Sequence, residues 1–78
     1  MKKKKIVEEI KGTVTVINQD RLVENLPFKD ETEAYSIFLE FCKNYLSNFD
    51  EYTQKDIDAI LKDGIERFGH GEIRIWWF

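Results

Sequence analysis

The sequence is poor in the residues that build catalytic and metal sites. Among its 78 residues it has one cysteine, Cys42, one histidine, His70, and one proline, Pro27. A lone cysteine cannot close a disulfide within the chain, and a structural zinc site usually takes four Cys or His ligands in closely spaced pairs. We therefore expect no disulfide, no metal and no other cofactor. A free thiol is typical of a protein in the reducing cytoplasm.

Long apolar runs are also absent. A helix that spans a bilayer needs about 20 consecutive apolar residues, and no segment approaches that length. The lysines at 2–5 are followed only by Ile6 and Val7 before acidic residues begin, whereas a signal peptide requires a longer apolar stretch. We expect a cytoplasmic protein without membrane contact. A hydrophobic content of 42% is enough for a compact core, so residues 1–78 are expected to form a single domain.

The charges are distributed unevenly along the chain. Lys2 to Lys5 supply four of the twelve basic side chains, whereas residues 6–78 hold eight basic and fifteen acidic side chains, a net charge of −7. We expect residues 1–5 to form a flexible basic tail on an acidic domain. The many Lys, Ile, Phe and Asn residues, with few Ala, Arg and Pro, are typical of AT-rich genomes such as those of low-GC bacteria and their phages.

The first half of the chain begins with a predicted β-hairpin. Residues 13–17 are all β-branched and predict a strand, and after an Asn-Gln-Asp turn residues 21–26 can return antiparallel to it. Pro27 is expected to end the hairpin, because proline cannot donate to a strand ladder. Residues 4–11 fit either a short helix or a bent strand. We favour the strand, which would be an additional one.

A long amphipathic helix is predicted next. Asp30 and Glu33 have the spacing of a capping box, in which each side chain accepts a hydrogen bond from the other residue's backbone N–H. Apolar residues then recur every three or four positions, as expected for one buried helix face. They are Ala34, Ile37, Phe38, Phe41, Tyr45 and Phe49.

A second helix is predicted after Thr53, which with Asp56 forms a variant capping box. Its apolar stripe consists of Ile57, Ile60, Leu61, Ile65 and Phe68. In this interpretation Gly64 lies inside the helix and weakens it by about 1 kcal/mol, and Gly69 follows the last helical residue. The wet face includes Asp58, Lys62, Asp63, Glu66 and Arg67.

Residues 72–78 predict a final strand with two apolar faces. Ile73, Ile75 and Trp77 would point one way and Arg74, Trp76 and Phe78 the other. This pattern indicates a strand between two layers, or one whose second face or free edge meets a partner. The predicted fold class is α+β in the order β-β-α-α-β. It is a small antiparallel sheet of three or four strands with two amphipathic helices on one face.

No side chains form a convincing catalytic arrangement. Cys42 lies on the flank of a buried helix stripe, where a free cysteine behaves as a small hydrophobic residue. His70 lies between two glycines in a predicted loop. The carboxylates that are close in sequence all fall on predicted solvent-facing surfaces, and acid–base catalysis needs one of a pair in an apolar pocket. We expect a protein that is not an enzyme.

Two features indicate a protein-binding surface. The segment 50–66 carries acidic residues that could attract a basic protein surface, including one that normally holds nucleic acid. The last strand offers large aromatic rings, which are common in interface hot spots. The predicted partner-binding residues are Asp50, Glu51, Asp56, Asp58, Asp63, Glu66, Arg74, Trp76 and Phe78.

Small, acidic chains of this kind from AT-rich genomes are often phage or mobile-element products that inhibit a host factor, such as anti-CRISPR and other anti-defence proteins. We expect a binding protein of this type, and a homodimer would also bury the aromatic strand. The alternative is a nucleic-acid-binding module that uses Lys2 to Lys5 with Arg74, Trp76 and Phe78. A largely acidic domain makes nucleic acid the weaker hypothesis.

Overall fold

The structure is a computed structural model that describes residues 9–78. The chain forms two strands, two helices and two more strands, with a 3₁₀ turn (Phe49–Glu51) between the helices. The elements are β1 (Gly12–Asn18), β2 (Arg21–Phe28), α1 (Glu31–Tyr45), α2 (Gln54–Asp63), β3 (Ile65–Phe68) and β4 (Gly71–Trp77). The predicted α+β class, with two helices on one face of an antiparallel sheet, is confirmed.

The four strands form one antiparallel sheet in the order β2-β1-β4-β3. The central pair therefore consists of β1 and β4, and the edges are β2 and β3. Gln19 and Asp20 connect β1 to β2 with φ angles of 53° and 66°. Positive φ at both central residues is the type I′ geometry, whose twist matches that of the flanking strands.

The core lies between the central strands and α1. Val14 pairs with Ile75 and Val16 with Ile73, so these four side chains share one face of the sheet. All four are at most 8% exposed, so the structure places Ile73 and Ile75 on the buried face of β4, which the alternation alone left undecided. The helices cover this face with Ala34, Phe38, Phe41, Cys42, Leu46 and Ile60.

The start of α1 follows the prediction, with one change. The Asp30 side chain accepts a hydrogen bond from the Glu33 N–H at 2.8 Å. The Glu33 carboxylate accepts from the N–H of Lys29, also at 2.8 Å, rather than from that of Asp30. The helix ends at Tyr45, so Phe49, which the apolar stripe assigned to it, lies in the 3₁₀ turn instead.

The prediction for the second helix is wrong beyond Asp63. Gly64 adopts a left-handed conformation with φ of 71°, and its N–H donates to the Ile60 carbonyl to close the last turn. Residues 65–68 then pair with β4 as a strand. The spacing of Ile65 and Phe68 fits one helix face, which is why the pattern was ambiguous, and the glycine decides it. The strand beyond the three that the sequence predicted is therefore β3, and it comes from residues assigned to the second helix.

The other two differences concern the ends of the hairpin. The additional strand predicted for residues 4–11 falls largely on residues 1–8, which lie outside the described residues, as does the predicted tail; residues 9–11 are not in a strand. Pro27 does not end β2, which continues to Phe28. Because β2 is an edge strand, a residue without an N–H is tolerated there.

We expect Gly12→Ala to destabilise the fold strongly. A Cβ atom at this position would collide with the Trp76 carbonyl oxygen on β4 and with the Phe28 ring. Overpacking of this kind costs about 1–3 kcal/mol, and we expect the upper end because a ladder carbonyl cannot move aside. Denaturant unfolding would measure the change.

The matched control is Gly64→Ala. Its Cβ would lie 3.8 Å from that of Ile75, an ordinary contact. This variant should lose only about 1 kcal/mol, from the left-handed backbone conformation. Equal losses in the two variants would contradict a specific collision at Gly12.

Candidate functional site

Three consecutive aromatic residues are exposed at the end of β4. Trp76, Trp77 and Phe78, here called the aromatic end, are 41%, 52% and 81% exposed. The Phe78 N–H donates to the Lys11 carbonyl at 2.9 Å, which ties the aromatic end to the segment before β1. Ile10, in that segment, is 41% exposed. An apolar surface thus surrounds the point where β1 begins and β4 ends.

The two tryptophans lie on opposite faces of the sheet, and each ring is held in place. The Trp76 indole N–H donates to the Thr15 hydroxyl at 2.8 Å on the face without helices. The Arg74 guanidinium carbon lies 4.9 Å from the centre of the Trp76 ring, a cation–π arrangement. On the helix face, Trp77 packs edge-on against Phe28 with ring centres 4.7 Å apart. Both rings are therefore positioned while about half of each surface remains available.

A hollow lies beside this end of β4 because β3 is the shorter strand. The ladder between β3 and β4 stops at the pair Ile65 and Arg74. Beyond it lies a depression of about 250 Å³, here called the strand-end hollow. Its lining consists of Asp63, Gly64, Ile65, Arg74, Ile75, Trp76 and Trp77.

Three of the predicted acidic residues support local structure. Asp56 closes the capping box by accepting from the Thr53 N–H at 3.0 Å. Asp58 accepts from the Gln54 side-chain amide at 2.9 Å. Glu66 accepts a hydrogen bond from the Tyr52 hydroxyl and is half-buried, because it lies on β3 and not on the wet face of a helix.

The other three acidic residues are exposed. Asp50 and Glu51 lie in the 3₁₀ turn. Asp50 borders a separate groove of about 650 Å³ whose apolar lining includes Phe49 and Ile57. Asp63 ends α2 and lines the strand-end hollow with Trp76 and Trp77. The structure therefore brings Asp63 together with the aromatic residues, and the six carboxylates do not act as one patch.

A half-buried hydrogen bond between Tyr52 and Glu66 was not foreseen from the sequence. The pKa of the Tyr52 hydroxyl is raised to about 12, mainly because the hydroxyl donates a hydrogen bond to the Glu66 carboxylate. Partial burial and the negative charge of Glu66, which repels the phenolate, raise this pKa further. Burial, and secondarily the charge of Glu66, raises the pKa of the Cys42 thiol to about 12. The signal that could have revealed this contact is Gly64, which ends α2 before Glu66 and puts that residue on a strand.

The remaining candidate chemistry stays dispersed. His70 is exposed in the turn between β3 and β4. Within residues 9–78, no three His, Cys, Asp or Glu side chains are grouped so that they could hold a metal ion. Cys42 is fully buried and its thiol is held in the protonated form, whereas a nucleophilic cysteine requires a lowered pKa and access.

Comparisons with known proteins give no family. No protein-family model matches the chain, and no curated protein or solved structure matches it either. Neither helix in the described part of the chain is long and apolar enough to cross a membrane.

We expect stability to fall as the pH rises from about 9 to about 12. The folded state raises the pKa of Tyr52 from 10.0 and that of Cys42 from 9.0, each to about 12. Folding thus favours the protonated forms, so their contribution is fully present below the unfolded pKa values and is lost as the pH approaches the folded ones. Urea unfolding across this range would measure the decline.

Tyr52→Phe provides the control for this decline. Removing a hydrogen bond to a charged group should cost about 1.5–3 kcal/mol at neutral pH. The variant should also lose stability less steeply at alkaline pH. An unchanged alkaline profile would show that Tyr52 does not contribute to it.

We expect Cys42 to react with a thiol reagent at pH 8 only after unfolding. The side chain is fully buried and protonated in the folded state, and the thiolate is the reactive form. A colorimetric thiol assay with and without denaturant would measure both rates. Rapid modification of the folded chain would revive a catalytic role for Cys42.

Proposed function

We propose that this protein binds another protein through the aromatic end and Asp63, without catalysing a reaction. The observation that carries the proposal is the exposure of three adjacent aromatic side chains, of which Phe78 is 81% exposed. Small soluble domains rarely leave large aromatic rings together on the surface without an interaction that covers them. Trp76 and Trp77 are also fixed by Thr15 and Phe28, so little conformational entropy is lost when a partner covers them.

The charge of the domain favours a basic partner. Residues 6–78 carry a net charge of −7, to which the exposed carboxylates of Asp50, Glu51 and Asp63 contribute. Complementary charge mainly accelerates encounter and selects partners, whereas buried rings supply most of the affinity. We therefore assign steering to the acidic residues and affinity to the aromatic end.

Size, charge and composition extend this proposal to an inhibitor of a host factor, encoded by a phage or mobile element, of the anti-CRISPR or anti-defence type. A nucleic-acid role receives less support from the described residues. Arg74 is engaged with Glu72 at 3.3 Å and with the Trp76 ring, so neither its charge nor that face of the ring is free for a nucleotide.

We expect the double variant Trp76→Ala, Phe78→Ala to lose its protein partner. The immobilised full chain and the variant would be used to capture proteins from cells of the source organism, with quantitative mass spectrometry. We expect at least one captured protein to be retained at least tenfold more by the full chain than by the double variant. The same protein, once purified, should also bind the full chain. If no protein meets both criteria, the proposed function is wrong.

Two controls make this comparison interpretable. Leu22→Ala removes an exposed apolar side chain elsewhere, on β2, and should retain the partner. Light scattering of all three proteins shows whether a second copy is the partner: a dimer that becomes a folded monomer in the double variant would identify self-association. Thermal unfolding followed by circular dichroism would confirm that the variants are folded.

A further inference from the structure

We propose that an extended, basic segment of the partner protein adds to the sheet alongside residues 75–77 of β4, with a cationic side chain on Asp63. This inference rests on the proposed function and states how the partner is held. The added segment would continue the line of β3 beyond Ile65, in the strand-end hollow.

The backbone of β4 is open on this side. The Ile75 N–H donates to the Gly64 carbonyl at 2.8 Å, toward β3, and the Phe78 N–H donates to Lys11 at 2.9 Å, toward β1. Alternate residues of a strand direct their N–H and C=O to the same neighbour. The backbone groups of Trp77 therefore point to the β3 side, beyond Ile65, the first residue of β3.

The Ile75 carbonyl also lacks the partner that a longer β3 would give it. The residue opposite is Gly64, and its N–H donates to the Ile60 carbonyl at 2.8 Å to end α2. An added strand can supply the missing donor and acceptor, which is the basis of peptide recognition by strand addition. Its alternating side chains would contact Trp76 on one face and Trp77 on the other.

The opposite edge of the sheet is protected against such pairing. The register of β2 shifts between Val16 and Ile17 of β1, and Pro27 lies near the end of β2. Bulges and prolines are the features by which natural edge strands avoid pairing with other chains. Residues 75–77 of β4 contain neither, so strand addition is favoured at β4 rather than at β2.

The charges select a basic segment. The Asp63 side chain is exposed and its carboxylate forms no hydrogen bond or ion pair with any residue in 9–78, whereas Arg74, in the same hollow, is paired with Glu72 at 3.3 Å. Each full chain carries a net charge of −3, and residues 6–78 carry −7, so like charge disfavours a second copy and the domain attracts a cation. A lysine or arginine flanking the added strand fits this surface.

The test uses the capped pentapeptide Lys-Thr-Val-Thr-Lys and the full chain labelled with ¹⁵N. We expect a saturable NMR shift of the Trp77 backbone amide and both indole N–H groups, and slower hydrogen exchange at Trp77. The peptide Glu-Thr-Val-Thr-Glu should bind at least tenfold more weakly. No shift at these groups, equal binding of the two peptides, or shifts centred on β2 would overturn strand addition at β4.

Two pairs of variants separate charge from backbone pairing. Asp63→Asn should weaken binding of the lysine peptide about tenfold relative to Asp58→Asn, which keeps Asp63. Trp77→Val and Trp77→Pro both lose the ring, but proline also removes the outward N–H. Trp77→Pro should therefore bind about fivefold more weakly than Trp77→Val, the effect of about 1 kcal/mol for one hydrogen bond. Equal binding by Asp63→Asn and Asp58→Asn would overturn the role of Asp63. Equal binding by Trp77→Pro and Trp77→Val would overturn backbone pairing at Trp77.

Failure of strand addition and failure of the proposed function would give different results. If the peptides do not bind but capture still depends on Trp76 and Phe78, strand addition is wrong and protein binding stands. If no partner is captured, the proposed function itself is wrong. If the NMR shifts appear without peptide and grow with protein concentration, and the molar mass is that of a dimer, the occupant of the hollow is a second copy and not a partner segment.

Discussion

The pairing of β1 with β4 is the constraint on which the rest of the structure depends. It joins Gly12 to Trp77 and Asn18 to Gly71, so it brings residues from both ends of the described chain into the centre of the sheet. The four most central side chains, Val14, Val16, Ile73 and Ile75, belong to these two strands and form the surface on which α1 packs. The outer strands are each attached to one member of this pair through a two-residue turn. A change that weakens the central ladder therefore affects both layers.

The length of α2 determines how much of β4 is left open. Gly64 ends the helix and, in the next residue, the chain begins β3, so there are no residues available to pair with Trp76 and Trp77. The same glycine turns Glu66 from a helical surface toward Tyr52 and Cys42. The left-handed conformation of Gly64 thus affects both the shape of the surface and the pKa values of Tyr52, which is half-buried, and Cys42, which is buried. Asp63, immediately before it, remains exposed beside the aromatic rings.

The sequence alone determined the fold class because its strongest patterns are local. The β-branched run in β1, the Asp30 cap and the alternation of Ile73 and Ile75 each depend on neighbours within a few residues. Ile65 and Phe68 were misassigned because a spacing of three suits a helix, whereas Gly64 ends α2 before them and residues 65–68 pair with β4. The candidate site was foreseen in part: alternation places Trp76 and Phe78 on one face of the strand, and the structure shows that both are exposed. The hollow could not be foreseen, because it arises from the short length of β3. That length follows from the end of α2 at Gly64, which the sequence prediction missed.

The central position of β4 also sets the order of events during synthesis. A ribosome makes residues 31–63, including both helices, before the strand that completes their binding surface. Phe38 and Phe41 pack in a core to which β1, β2 and β4 all contribute, so this core stays incomplete until residues 71–77 are made. Contacts between residues this far apart in sequence also slow folding relative to a local helical bundle. Until residues 71–77 are made, the chain has β1 and β2, but not the central strand β4, to offer as the part of the sheet on which its helices pack.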